Sequence, residues 1–379
     1  MNNRVLRSTG GWRDAFAGML VAGVVLGAWA CTPASDPRGE GGDGAESAQA
    51  GEDLILPEET HFSNIKQLTF GGDNAEAYFA FDGSKLIYQH RNTTEECDQI
   101  YILDLATGES SMVSTGKGRT TCAYFYPSGE EILYSSTHHH DPSCPPPPDY
   151  SMGYVWPLNE TYDVFRANVD GSNLRQLTDT WGYDAEATFS PMGDRIVFTS
   201  VRDGDLELYS MAPDGSDVRR LTNRPGYDGG AFYSPDGTQI VWRAHYPEEG
   251  EELDDYRRLL DQGLIRPGEL EIWVMDADGS NKRQVTHLGG ANFAPYWHPS
   301  GKKILFSSNH LDPDGREFDL FMINVDGTGL ERLTYTEGFD GFPVFSPDGR
   351  YLVFGSNRNN GGTRDTNIFI TEWVEKPAG

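Results

Sequence analysis

The side chains with the most chemistry to offer are a scattered set of histidines, arginines and acids. His90 and Arg91, the run His138, His139 and His140, then Arg202, His245, His310 and Arg358 each close a short apolar run such as KLIYQHR or KILFSSNH. Glu76, Asp184, Glu186 and Asp228 stand at the head of aromatic runs such as AYFAFDG and AFYSPDG. Imidazole with carboxylate suits a borderline divalent ion, Zn, Mn or Fe, with His138, His139, His140, His245 and His310 as candidate ligands. Alternatively His90, Arg91, Arg202 and Arg358, beside the four acids, could grip an anionic ligand by charge-assisted hydrogen bonds. A third reading needs no ligand, because each group can be satisfied by its neighbours. The spacing is not a tight metal motif such as H-E-x-x-H, so convergence depends wholly on the fold. Adjacent residues of an extended chain point to opposite sides, so at most one or two of the three consecutive histidines could share an ion.

The elements that must position these groups repeat. An aromatic strand ending in a turn recurs at 77–83, 122–129, 187–193, 231–237, 295–301 and 343–349. The turn glycines are spaced by 46, 64, 44, 64 and 48 residues. A unit of 44–48 residues is therefore repeated six times, with two insertions of about 20 residues. Each unit holds four strand-like runs, the second alternating apolar and polar residues with period two. The third ends in DG-type turns and the fourth is short, as in LRQLT, VRRLT, KRQVT and LERLT. Four antiparallel strands in a unit of this length make a propeller blade. The last unit lacks a fourth strand, whereas an orphan fourth strand, IKQLT (65–69), precedes the first. The expectation is an all-β, six-bladed propeller over 61–379, closed by its N-terminal strand so that no blade is left half-paired.

In such a meander the fourth-to-first and second-to-third connections share one face, here called upper. The His and Arg set and the strand-heading acids belong to it, at the mouth of the central channel. Both insertions share that face. The first (141–160) contains a run of four consecutive prolines and Tyr150, Tyr154 and Trp156, which could stack on a sugar or peptide. In the second (247–269), the spacing of Leu253, Tyr256, Leu259 and Leu260 predicts a helix over 251–262, a candidate roof for the mouth. The Asp-Gly turns of the lower face are structural.

The N-terminus reads as an address. Arg4, Arg7 and Arg13 precede an apolar run from Ala15 to Ala30, which ends at Cys31. This resembles a bacterial lipoprotein signal over 1–31, with Cys31 as the lipidated residue. Residues 32–60, with eight acids against one arginine, read as a disordered acidic tether. The implied location is the cell envelope, lipid-anchored, on the periplasmic side of the outer membrane. The net charge of −28 excludes a general nucleic-acid binder, which needs clustered Lys and Arg. Beyond Cys31 three cysteines remain as disulfide candidates: Cys97, Cys122 and Cys144. Cys97 with Cys122 and Cys122 with Cys144 are both reachable pairings, and one thiol must be left over.

The recurring SPDG turn, apolar strand, aromatic-Met strand ending in DG, and RLT strand resemble the TolB-like, WD40-like propeller family over about 310 of the 379 residues. The resemblance lacks the extra α/β domain that precedes the propeller in TolB. It implies a non-catalytic, monomeric scaffold that binds an envelope protein, or a small carbohydrate or peptide ligand, through the upper face. No cofactor is required by that reading, and the membrane is met only through the lipid. The alternative is a metal-dependent carbohydrate-active enzyme resembling oligogalacturonate lyase. There the His-rich mouth would hold the ion.

Overall fold

Alternating runs of apolar and polar residues give strands buried on both faces wherever blades stack. A computed structural model describes residues 54–92 and 97–376. Six four-stranded antiparallel sheets follow one another in chain order. Their first strands are Asp73–Phe79, Thr120–Phe125, Asp184–Phe189, Tyr227–Tyr233, Asn292–Trp297 and Asp340–Phe345. Each packs against the first strands of both neighbouring blades, so the ring surrounds a central channel. Second and third strands such as Ile196–Ser200 and Glu207–Met211 are buried along their whole length. The strand Phe62–Gln67 pairs antiparallel with Asn367–Trp373 and supplies the fourth strand of blade six. The chain is thus a six-bladed propeller closed as the repeat count required.

Two local devices set the geometry. On the lower face, Asp82, Asp170, Asp214, Asp236, Asp278, Asp326 and Asp348 each accept the backbone N–H two residues on, at 2.9–3.1 Å. Hydrogen bonds from these turns hold all seven carboxyls below the usual carboxylate range. In the channel, the first strand of every blade breaks register at one point, a β-bulge. The bulged residues are Glu76, Cys122, Glu186, Gly230, Ala294 and Phe342, all with φ between 49° and 60°. A non-glycine residue in this left-handed region costs about 1–2 kcal/mol, and bulges re-aim side chains. Here all six line one cavity at the channel axis.

The two insertions differ most from expectation. They do not stay with their own blades. Trp156–Pro157 of the first pairs with Leu264–Ile265 of the second in a two-stranded sheet, bridging blades two and four. The helix runs Glu251–Leu260, ending two residues short of 262, and buries Tyr256 and Leu259. Tyr256 donates its hydroxyl towards Asp205 and the Gly226 carbonyl, both at 2.6 Å. Leu158, Leu206, Tyr227, Tyr256, Ile265, Leu270 and Phe293 form one apolar cluster beneath. The insertions are therefore one cap.

Two further corrections concern boundaries and cysteines. Residues 54–60, expected in the tether, are packed: Leu54 and Ile55 lie against the core of blades five and six, and Glu59 is 1% exposed. Neither expected disulfide is present. Cys97 is joined to Cys144, with Cα atoms 5.7 Å apart, and Cys122 is free. The bulge at Cys122 turns its thiol into the channel, away from the loops that carry the other two. Cys31 lies outside the described residues.

Candidate functional site: a capped polar pocket in the channel

Glu76 and Glu186, expected at the mouth, enter the channel itself because both are bulge residues. Arg243, from the second strand of blade four, crosses to Glu186 and forms an ion pair with it. The Arg243 Nε also donates to the Tyr227 hydroxyl at 2.9 Å. Gly230 makes room for this crossing: a Cβ there would lie 1.9 Å from the Arg243 Nη1. Glu186 further accepts from the Thr199 hydroxyl at 2.7 Å and from the Gly230 N–H at 2.9 Å. It is fully engaged.

Glu76 is not. Its Oε2 is buried and has no hydrogen-bond partner. It faces a cavity of about 20 Å³ lined by Tyr78, Cys122, Glu186, Phe232 and Arg243, the size of a single water. Burial, aided by the Glu186 charge and opposed by the Cys122 thiol and Arg243, pushes the Glu76 carboxyl up to about 7. Burial first, and the Glu76 and Glu186 charges next, raise the Cys122 thiol well above its ordinary value. This thiol is therefore a poor nucleophile. Trp156 of the cap lies over Arg243, its ring centroid 5.6 Å from the guanidinium carbon. Below the pocket, Tyr78, Tyr124, Phe232 and Tyr296 pack ring to ring with centroids 5.2–5.5 Å apart. They separate it from an aromatic and proline-lined funnel at the lower mouth.

The upper-face histidines and arginines are mostly consumed within their own blades. His138 and His310 bond through Nδ1 to Ser136 and Ser308, each at 2.8 Å. Each also packs on a third-strand phenylalanine, Phe165 and Phe321, with centroids 4.5 Å apart. Burial lowers the pKa of both. Arg202 and Arg358 repeat the device, their Nε donating to Ser200 and Ser356 at 2.9 and 3.1 Å. Arg202 then pairs with Asp184 at 3.0 Å, and Arg358 with Glu59 and Asp340 at 2.9 and 3.3 Å. His90 meets Asn74 at 2.8 Å, and Arg91 pairs with Asp73. His140 meets Asp163 at 3.3 Å, with His139 beside it, ring centroids 5.9 Å apart. Asp228 is buried under Trp242 Nε1 and the Tyr246 hydroxyl, both donating at 2.6 Å, and its carboxyl is pushed up to about 7 by burial.

The five expected metal ligands are therefore not brought to one point. They are distributed over blades two, four and five. Only His245 falls in a group of three ligand-type side chains among the described residues, with Glu252 and Glu269. A repeated signal in the sequence marks the consumed groups: Ser136-x-His138, Ser200-x-Arg202, Ser308-x-His310 and Ser356-x-Arg358. Arg243 was not singled out by sequence. Its signal is a charge inside the strand QIVWRAH set against the Gly229-Gly230 pair.

Residues 151–251 and 265–364 match the family model of the TolB beta propeller domain. Solved structures of similar architecture include a putative TolB from Agrobacterium tumefaciens, 21% identical with a TM-score of 0.54, covering 80% of this chain and 91% of that one. TolB from Acinetobacter baumannii is 19% identical with a TM-score of 0.55, over 73% of this chain and 57% of that one. An oligogalacturonate lyase in complex with manganese is 14% identical with a TM-score of 0.50, over 87% and 96%. At these identities the likeness is one of fold alone. The family match covers more than half of the sequence, and with the closed ring of six repeated blades it identifies the chain as a member of the TolB β-propeller domain family.

Proposed function

We propose that this chain is an envelope-located, non-catalytic binding propeller. It takes a partner segment or small ligand at its upper face, into the channel beneath the cap. The observation that carries this reading is the buried, unpartnered Glu76 Oε2 under a cap built from two insertions. A buried oxygen without a donor is costly, and a guest presenting an N–H or a positive charge would satisfy it. With the Glu186 charge already balanced by Arg243, an ionised Glu76 leaves the pocket one positive charge short. The cavity holds little more than a water, so a larger guest requires the cap to lift. The export-type N-terminus and the TolB family membership support the envelope location, with Cys31 as the lipidated anchor residue.

Photo-crosslinkers placed at Tyr154, which is 68% exposed on the cap, and at Met192, 65% exposed on the lower face, test the assignment in intact envelopes. The reading predicts a specific adduct from Tyr154 that Glu76→Gln or Trp156→Ala diminishes at least about tenfold, the loss of one buried polar contact. An adduct from Met192 alone, or one indifferent to both substitutions, would place the binding face elsewhere.

A further inference from the structure

The second insertion enters at His245, passes through Glu252 in the first helical turn and leaves at Glu269, two residues before the third strand Glu271–Asp276. One ligand atom from each of the three lies within 4.8 Å of the other two. They are remote in sequence and meet only because the insertion folds back on blade four. We infer that His245, Glu252 and Glu269 form a divalent-metal site that latches the cap helix to blade four.

The imidazole has the orientation of a ligating histidine. Its Nδ1 faces the Glu269 backbone carbonyl at 3.2 Å, which requires a proton on Nδ1. The Nε2 then points at a Glu252 carboxylate oxygen 3.0 Å away. A neutral ring would set a lone pair against that carboxylate. Something positive belongs between them: a second proton or a metal ion. A backbone carbonyl on the far nitrogen is the usual outer support of a metal-bound imidazole.

The charge balance points the same way. Among the described residues no Lys or Arg forms an ion pair with Glu252 or Glu269, whereas nearby Asp255 holds both Arg258 and Arg266. All three candidate ligands line one open cavity of about 680 Å³ between helix and blade. One imidazole and two carboxylates suit Zn²⁺ or Mn²⁺. Bonds of about 2.1 Å would bring the donor atoms to about 3.3 Å from one another, within reach of side-chain rotation because Glu252 is 40% exposed. Water would complete the shell. Only His245 of the five expected mouth ligands belongs to this set, which lines a cavity separate from the channel pocket, so it stands or falls separately from the proposed function.

The full chain, stripped with a chelator and dialysed, would be heated with Zn²⁺ alone or Mn²⁺ alone. The latch predicts a rise in the unfolding midpoint of about 3 °C or more at a hundred-fold excess over the dissociation constant. One ion should bind per chain by elemental analysis. Glu252→Gln with Glu269→Gln should abolish both effects. Replacing His138, His139 and His310 by alanine should leave both intact. Amide hydrogen exchange in residues 251–260 should slow on adding the metal, which reports the latch even if a variant folds poorly. No midpoint rise with either metal, a rise retained by the double glutamine variant or lost in the triple alanine variant, or binding without slower exchange in the helix would each overturn the inference.

Discussion

Replacing Arg358 with alanine is expected to destabilise the ring by about 3–5 kcal/mol. The guanidinium is 3% exposed and stands between Glu59 and Asp340, both of whose side chains are fully buried. It also donates to the Leu54 carbonyl at 3.1 Å and lies over Phe354, 4.9 Å from its centroid. Glu59 precedes the closing strand and Asp340 opens the first strand of blade six. Arg358 therefore ties the N-terminal segment to the blade it completes. Removing it leaves two carboxylates in a dry site without their common cation. Lysine should not rescue, because one ammonium cannot reproduce the planar fork that serves Glu59, Asp340 and Ser356 together. Adding Glu59→Gln to the alanine variant should recover part of the loss by removing one of the stranded charges. Chemical unfolding of the variants measures this, with Arg219→Ala as the comparison. Arg219 is 64% exposed beside Asp217, and such surface pairs contribute about 0–1 kcal/mol. Equal, small losses for both arginines would show that the N-terminal segment does not depend on this triad.

The second large effect is a change in pH dependence. Glu76→Gln is expected to remove up to about 3 kcal/mol of the stability that the wild type loses as pH rises. Burial sets the Glu76 carboxyl near 7 in the folded chain, against 4.5 for the ordinary group. The folded state thus holds a proton that the unfolded state releases between pH 4.5 and 7. Stability contributed by that proton is complete below about 4.5, declines through the interval and is gone above 7. Glutamine resembles the neutral acid and never ionises, so its unfolding free energy should stay flatter from pH 5 to 8. Asp228 titrates in the same direction, its carboxyl also near 7, so the wild-type slope is shared and Asp228→Asn should remove a separate portion. Urea unfolding across that range would show it; parallel curves for wild type and Glu76→Gln would mean that Glu76 is ionised in the folded chain from the start.

Sequence carried the architecture because repetition multiplies weak signals. One strand-ending turn says little, but six related ones with glycines at 44–64-residue spacing, with a surplus strand at one end and a missing strand at the other, leave one ring. The site was less legible for three physical reasons. Bulges at Glu76, Cys122 and Glu186 depend on tertiary packing that holds non-glycine residues at positive φ, and no local propensity announces that. The pairing of Trp156–Pro157 with Leu264–Ile265 involves two residues per strand, too few to show a period. The cysteines could not be paired by counting, since the choice turned on which thiol faced the channel. By contrast, the seryl partners two residues before His138, Arg202, His310 and Arg358 were visible throughout. They explain why a concentration of imidazole and guanidinium on one face did not become one site.

Control of access to the channel pocket by the cap is read from the rate at which a maleimide labels Cys122, the one free thiol among the described residues. Ile265, in the cap's own two-stranded sheet, is 1% exposed, and Ile265→Asp would place a charge in the apolar cluster on which the cap rests. Labelling should be slow in the wild type and at least about tenfold faster in Ile265→Asp, a modest opening free energy, under conditions where both remain folded. Equal rates in the two proteins would contradict control by the cap, because the pocket would then be reached by a route that the cap does not guard.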